Sequence, residues 1–238
     1  MNLLAVGTDS KTPRGEARGI LTGILYMTPA ETEADALNFC PYSTEACRAL
    51  CIAETGRGPM PSVRRGRARK RALFVGNRAE FLRQLEWDCG ALVRASVRRE
   101  LRAASRLNGT SDAAWELLAR GLFVRYPEIQ FYDYTKVPAR YSRFLAGKLP
   151  PNYHLTFSRS EKNEAECLAF LRNGGNVAVV FGTRKGQPLP ETWHGFPVID
   201  GDVDDYRPAD PVNVVVGLRA KGPARRDRTS GFVVWEGI

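Results

Sequence analysis

The chain has 238 residues, 43% of them hydrophobic, which is enough for one large domain or two small ones with a real core. Its formal charge is +9 with a pI near 9.6, a balance open to polyanionic partners. No run of about 18 apolar residues exists, so no helical membrane span is expected, the first residues turn polar too soon for a signal peptide, and five cysteines do not make a secreted disulfide framework; the expected setting is a reducing cytoplasm.

In chain order, residues 3–7 and 19–27 read as extended runs, the second apolar enough for a buried strand, with a polar turn over 11–16 between them. The stretch 38–51 holds Cys40, Cys47 and Cys51 at C-x6-C-x3-C spacing. Ser43 or Thr44 can cap a helix over 46–53. On that helix Cys47 and Cys51 stand four residues apart and share a face, with Cys40 just ahead of its positive end. Three convergent thiolates suit a soft metal or an iron–sulfur cluster. The alternative makes Cys47 and Cys51 small core residues and Cys40 a loop residue.

Residues 55–61 are irregular, being rich in glycine and proline. Arg64, Arg65, Arg67, Arg69, Lys70 and Arg71 follow within eight residues. The run reads as a solvated helix face or as a phosphate-binding surface for nucleic acid, although it lacks interleaved aromatics for base stacking. Residues 78–99 predict a long helix, with Phe81, Leu82, Leu85, Cys89, Leu92 and Val93 at helical spacing, which places Cys89 in the core.

From residue 100 short apolar runs alternate with polar clusters and helices. Strands are expected over 102–107, 129–132, 153–157, 176–181, 196–199 and 212–216, with a last one over 232–235. Helices are expected over 113–122 with Asp112 as cap, over 139–146, and over 161–171, where Cys167 is a core residue. Such alternation argues for a parallel sheet with right-handed crossovers. The expected fold is α/β: a full or partial TIM-like (β/α) barrel, one domain over 1–238 with a cysteine-cluster segment at about 28–75. A doubly wound open sheet is the runner-up. In a ring of this kind the loops after the strands gather at one mouth. That rim would hold the cysteines, Asn108, Asp112, Asp133, Lys136, Ser158, Arg159, Glu161, Asp200, Asp202 and Lys221.

Several stretches together resemble the gene product 88-like proteins of bacteriophages and plasmids. They are Lys11-Thr12 with Gly15-Glu16, residues 22–26, the cysteine helix, and residues 55–58, 106–112, 131–136, 153–161 and 193–202. The resemblance covers nearly the whole chain, carries no settled activity, and implies a phage origin and a host-cytoplasmic setting. A cysteine triad after the first strand of a partial barrel is also similar to the radical S-adenosylmethionine enzymes. In those, three cysteines hold three irons of a [4Fe–4S] cluster and the fourth iron takes the amino acid part of the cofactor. This likeness implies an iron–sulfur cluster, [4Fe–4S] or, with the open corner lost, [3Fe–4S], and S-adenosylmethionine as a second cofactor. The spacing here departs from their usual C-x3-C-x2-C, and residues 108–112 stand where a glycine-glycine-glutamate-type motif would follow the second strand.

Cys40, Cys47 and Cys51 are thus the expected metal ligands, with His154, His194, Cys89 and Cys167 the candidates for a fourth position and zinc the rival metal. Asn108, Ser111, Asp112, Ser158 and Arg159 are the expected cofactor-binding residues. Asp133, Lys136, Glu161 and Asp200 are the catalytic candidates, as acid, base or anchor for a small or nucleotide-like anionic substrate. G-x-S-x-G, H-E-x-x-H and P-loop motifs are absent. The expected function is an iron–sulfur protein with redox or radical-type chemistry at the mouth. The other reading is a nucleic-acid-binding factor with a structural zinc site and the basic run on phosphates.

Overall fold

The sheet is built from runs that are apolar on both faces, or on one face with a polar belt on the other. In the computed structural model, which describes residues 1–7, 12–30 and 37–235, these runs are β1 (Leu4–Val6), β2 (Ile20–Leu25), β3 (Arg102–Arg106), β4 (Gln130–Thr135), β5 (Tyr153–Ser158), β6 (Val177–Phe181), β7 (Thr192–Trp193), β8 (Phe196–Asp200) and β9 (Val215–Arg219). They form one sheet in the order β1-β2-β3-β4-β5-β6-β9-β8-β7. Neighbours from β2 to β6, then β9 and β8, run parallel; only β1 and β7 pair antiparallel, at the two edges.

The expected ring is therefore not closed, because β1 and β7 end the sheet instead of pairing with each other. A doubly wound order is absent too, since β2 to β6 advance in one direction without a switch point. Right-handed crossovers in a single direction put the helices that join parallel strands on one face. The eight described α-helices are α1 (Thr12–Glu16), α2 (Glu45–Ala49), α3 (Pro61–Gly76), α4 (Arg78–Arg98), α5 (Trp115–Leu118), α6 (Arg120–Arg125), α7 (Pro138–Leu145) and α8 (Glu164–Arg172). Alternation does the sorting. Leu21, Leu25, Phe131, Leu155, Phe157, Val177 and Val215 join the main core with Phe81, Leu85 and Leu92 of α4. Ile20, Ala104 and Tyr132 form a separate cluster on the inner face, where Tyr206 covers them.

α4 follows its expected span. Asn77 caps it by accepting from Glu80 N, and Phe81, Leu85, Cys89 and Leu92 are buried at helical spacing. Other expectations need correction. Residues 12–16 are helical rather than a turn, and Lys11 lies outside the described residues. The helix expected over 113–122 is two short pieces, α5 and α6, broken at Ala119, and α5 is preceded by Ala114, so Asp112 is not its cap. α8 starts at Glu164 instead of 161, after Asn163 Oδ1 has accepted from Ser160 N. Residues 232–235 give one parallel bridge, Phe181 to Val234.

Candidate metal centre

The cysteine segment is fastened across the C-terminal ends of the parallel strands. Just past β2, Met27 O accepts from Thr110 Oγ1 at 2.5 Å, and Gly109 N donates to Leu25 O at 2.9 Å. Gly109 is needed here, because a Cβ would stand 2.6 Å from the Tyr26 ring. Phe39 anchors the neighbouring cysteine: it is buried, packs edge-on to Phe74 at 5.3 Å, and its carbonyl accepts from Asp112 N at 2.7 Å. Cys40 Sγ then lies 3.9 Å from Thr110 O. Thr44 caps α2 by accepting from Cys47 N at 3.1 Å, and its hydroxyl donates to Glu161 beyond β5 at 2.9 Å. Farther on, Leu50 packs on Ala220, Ala224 and Val233, past the end of β9. Arg67 of α3, itself buried, donates to Ala53 O and Gly58 O and holds the segment's far end.

One local expectation fails. α2 stops at Ala49, and Cys51 has an extended backbone (φ −56°, ψ 134°) ahead of a 3-10 turn over Ile52–Glu54. Cys47 and Cys51 therefore do not share a helix face. The fold still brings the three thiols into one electrostatic neighbourhood. The charges of Cys47 and Cys51 act on Cys40, and that of Cys47 acts on Cys51. Burial pushes the Cys40 thiol up to about 12, helped by Asp112 and the other two thiols and opposed by Lys136. Burial also raises Cys51, against the Ala53 N–H, Lys136 and Arg67. All three are half-buried free thiols, whereas Cys89 and Cys167 are fully buried in the core, as expected. Among the described residues no three His, Cys, Asp or Glu side chains already stand as a ready-made ligand set. The donor chemistry fits a soft metal; the side chains do not enclose one as they stand.

Of the other expected site residues, Lys136, Ser158 and Asp112 gather beside the trio. Lys136 Nζ donates to Ser158 Oγ at 2.8 Å, and its backbone N donates to Asp112 Oδ2 at 2.8 Å. Glu161 reaches the segment through Thr44. Asn108 does not face it. Its side chain donates to Ala113 O and Asp133 and accepts from Ser111 Oγ, Ala113 N and Trp115 Nε1, which uses its capacity inside the fold. Ser111 is part of that knot. Asp133 points to the helix side of β4, fully buried, where it accepts from Asn108 N and Tyr153 Oη. Arg159 clamps Glu164 and the carbonyls of Gly231 and Phe232. Asp200 and Asp202 pair with Arg219 and Lys221 at the ends of β8 and β9. His154 lies on the inner face near Arg207, and His194 pairs with Glu164. In the basic run, Arg67 is buried, Lys70 donates to Leu3 O, and Arg64 pairs with Glu54, while Arg65 and Arg69 are exposed.

Two polar groupings had no clear signal in the sequence. Arg140 of α7 is buried and bridges Glu116, Asp112 and Tyr153 next to Asp133. Arg106, Arg207 and three aspartates meet on the inner face. Their clue was only the acidic run around Arg207 at 202–210. A cleft of about 760 Å³, lined by Arg120, Phe123, Gln130, Arg143 and Lys148, opens beside the start of β4, at the opposite end of the strands from the cysteines.

The sequence model of one family, described as gene product 88, matches residues 2–235. No curated protein and no solved structure matches the chain.

Proposed function

The chain belongs to the gene product 88 family, and for it we propose an iron–sulfur protein whose cluster is held by Cys40, Cys47 and Cys51 at the strand ends of a ring left open, a partial barrel. The observation that carries this reading is the contrast among the five cysteines. Two are core residues with no exposure, and three are half-buried, mutually coupled and fastened over the C-terminal edge of the sheet. Single buried cysteines are ordinary packing; three thiols sharing one edge call for a soft ligand. The cluster, [4Fe–4S] or [3Fe–4S], would supply one-electron chemistry, with S-adenosylmethionine the co-substrate of a radical version. Lys136, held by Ser158, presents the cation for a small or nucleotide-like anionic substrate. Asp112, paired with Arg140, fixes the Lys136 backbone. The phage resemblance suggests work in the host cytoplasm.

Anaerobic purification should give a brown protein with absorbance at about 400 nm, and with iron and sulfide lost together in Cys40→Ser, Cys47→Ser and Cys51→Ser but kept in Cys167→Ala. In the metal-free protein, alkylation without denaturant should label three thiols of the five. A colourless protein with stoichiometric zinc would overturn the cluster. Cleavage of S-adenosylmethionine by the reduced protein tests the radical version.

A second reading rests on exposed Arg65 and Arg69, one turn apart on α3: a nucleic-acid-binding factor in which the thiols hold structural zinc. DNA affinity that falls steeply with salt, and falls again in the Arg65→Ala, Arg69→Ala double variant, would favour it.

A further inference from the structure

A second site, argued independently of the cysteine reading, lies at the other end of the strands. The cleft of about 760 Å³ there has α5 and α6 as one wall, and Arg143 of α7 with the loop 148–151 as the other. The two walls are pinned together. Asn152 Nδ2 donates to Phe123 O and Tyr126 O, both at 3.1 Å, and Gln130 Nε2 donates to Asn152 O at 3.1 Å. Phe123 is buried at the floor against Phe131 and Tyr153, with ring centroids 4.7 and 4.9 Å away. Pro127, Pro150 and Pro151 stiffen the edges. The cleft is formed before anything enters it, which lowers the cost of filling it.

Leu117 and Val124 line this cleft and are 62% and 77% exposed, although both are apolar. Leu149, Pro150 and Pro151 add apolar surface on the other wall. Around this surface stand Arg120, Arg143 and Lys148, all exposed. Among the described residues, none of these three side chains has a carboxylate partner. Other surface arginines do: Arg83, Arg99 and Arg125 each pair with a glutamate. The carboxylate within the lining, Glu116, is buried and already held by Arg140 Nε and Nη2, both at 2.9 Å. The cleft thus presents apolar surface ringed by cations, with no anion of its own free to answer them.

We propose that this cleft docks an acidic peptide segment of a partner protein, one that carries bulky apolar side chains among its carboxylates. The apolar side chains cover Leu117, Val124 and the proline wall, and the carboxylates meet Arg120, Arg143 and Lys148. Guanidinium forks suit carboxylates, and a peptide with several of them answers all three cations at once. A nucleic acid fits less well. The aromatic ring in the lining, Phe123, is 2% exposed and offers no face on which a base could stack.

Selection of a random-peptide display library against the full chain tests this. The recovered peptides should be rich in aspartate and glutamate interspersed with leucine, isoleucine or aromatic residues. Made synthetically and labelled, they should bind at least about tenfold more weakly to the Arg120→Glu, Arg143→Glu double variant. The Leu117→Ser, Val124→Ser double variant should weaken them as well. All four positions are exposed, so the thermal melts of both variants should match wild type. Arg65→Glu with Arg69→Glu changes the net charge equally but on α3, and should leave the affinity within about twofold at physiological salt. No recovered peptide, a recovered set without acidic residues, or equal loss in the two charge variants would overturn the proposal. Oligothymidylate binding that is lost in the Arg120→Glu, Arg143→Glu variant alone would assign the cleft to nucleic acid and overturn it too.

Discussion

Asp133 shows how one residue can be legible as a polar site and wrong in direction. Its position after an apolar run suggested the rim, but strand alternation turns it to the helix side, because Tyr132 and Tyr134 take the inner face. Burial raises its carboxyl to about 7, against hydrogen bonds from Asn108 and Tyr153 and the charges of Arg106 and Arg140. An unfolded aspartate releases its proton near 3.8. Between those values the folded chain holds a proton that the unfolded chain has lost, so this residue's contribution to stability falls as pH rises from about 4 to 7 and is flat above. His154, held down to about 4 by burial and Arg207, gives the opposite slope from about 4 to 6.5, so the total curve mixes the two. Urea midpoints of wild type and Asp133→Asn, compared across pH 4 to 8, isolate the first contribution. The wild-type advantage should shrink steadily toward pH 7; a constant difference would place the carboxylate charged throughout.

At the scale of elements, the cysteine segment is held by contacts past the ends of three different strands, β3, β5 and β9, and by very little of its own. α2 has five residues, too few for a stable isolated helix, and depends on the Thr44 cap and on Phe39. Thr44→Ala should cost about 1 kcal/mol and, on the proposed cluster, lower the iron retained, because it removes both the bond to Cys47 N and the tie to Glu161. Two glycines give opposite expectations. A Cβ at Gly58 would stand 2.0 Å from Ala53 O, so Gly58→Ala must displace the backbone that Arg67 ties down. Gly66, inside α3 with open space around it, should accept alanine with a gain of about 0.5–1 kcal/mol. Thermal melts of the two variants should move in opposite directions.

Across the whole molecule, one core runs from Leu3 to Val215 and is joined by Val234 near the end of the described chain. The edge strand β1 belongs to it through Asp88 of α4, a buried carboxylate that accepts from Leu3 N and Leu4 N, and through Lys70, which donates to Leu3 O. Asp88→Ala leaves two buried N–H groups without acceptors and should cost about 2–4 kcal/mol. Circular dichroism and Trp115 fluorescence should still report one coincident transition in urea. Separate transitions would show β1 to be an independent attachment.

The alternation of apolar runs with helical segments in this sequence determined an α/β chain with a largely parallel sheet, and the apolar spacing of α4 placed Cys89 in the core. The Thr44 cap at the head of the cysteine helix was legible for the same reason, since side-chain period and local caps are properties of neighbouring residues, but the shared helix face expected of Cys47 and Cys51 was not kept. Whether the sheet closes was decided by β1 and β7 pairing antiparallel at its edges, and no local pattern encodes the partner of an edge strand. The tertiary structure likewise broke the helix before Cys51, turned Asn108 and Asp133 inward, and set Arg207 against His154, because these outcomes depend on burial among residues distant in the chain.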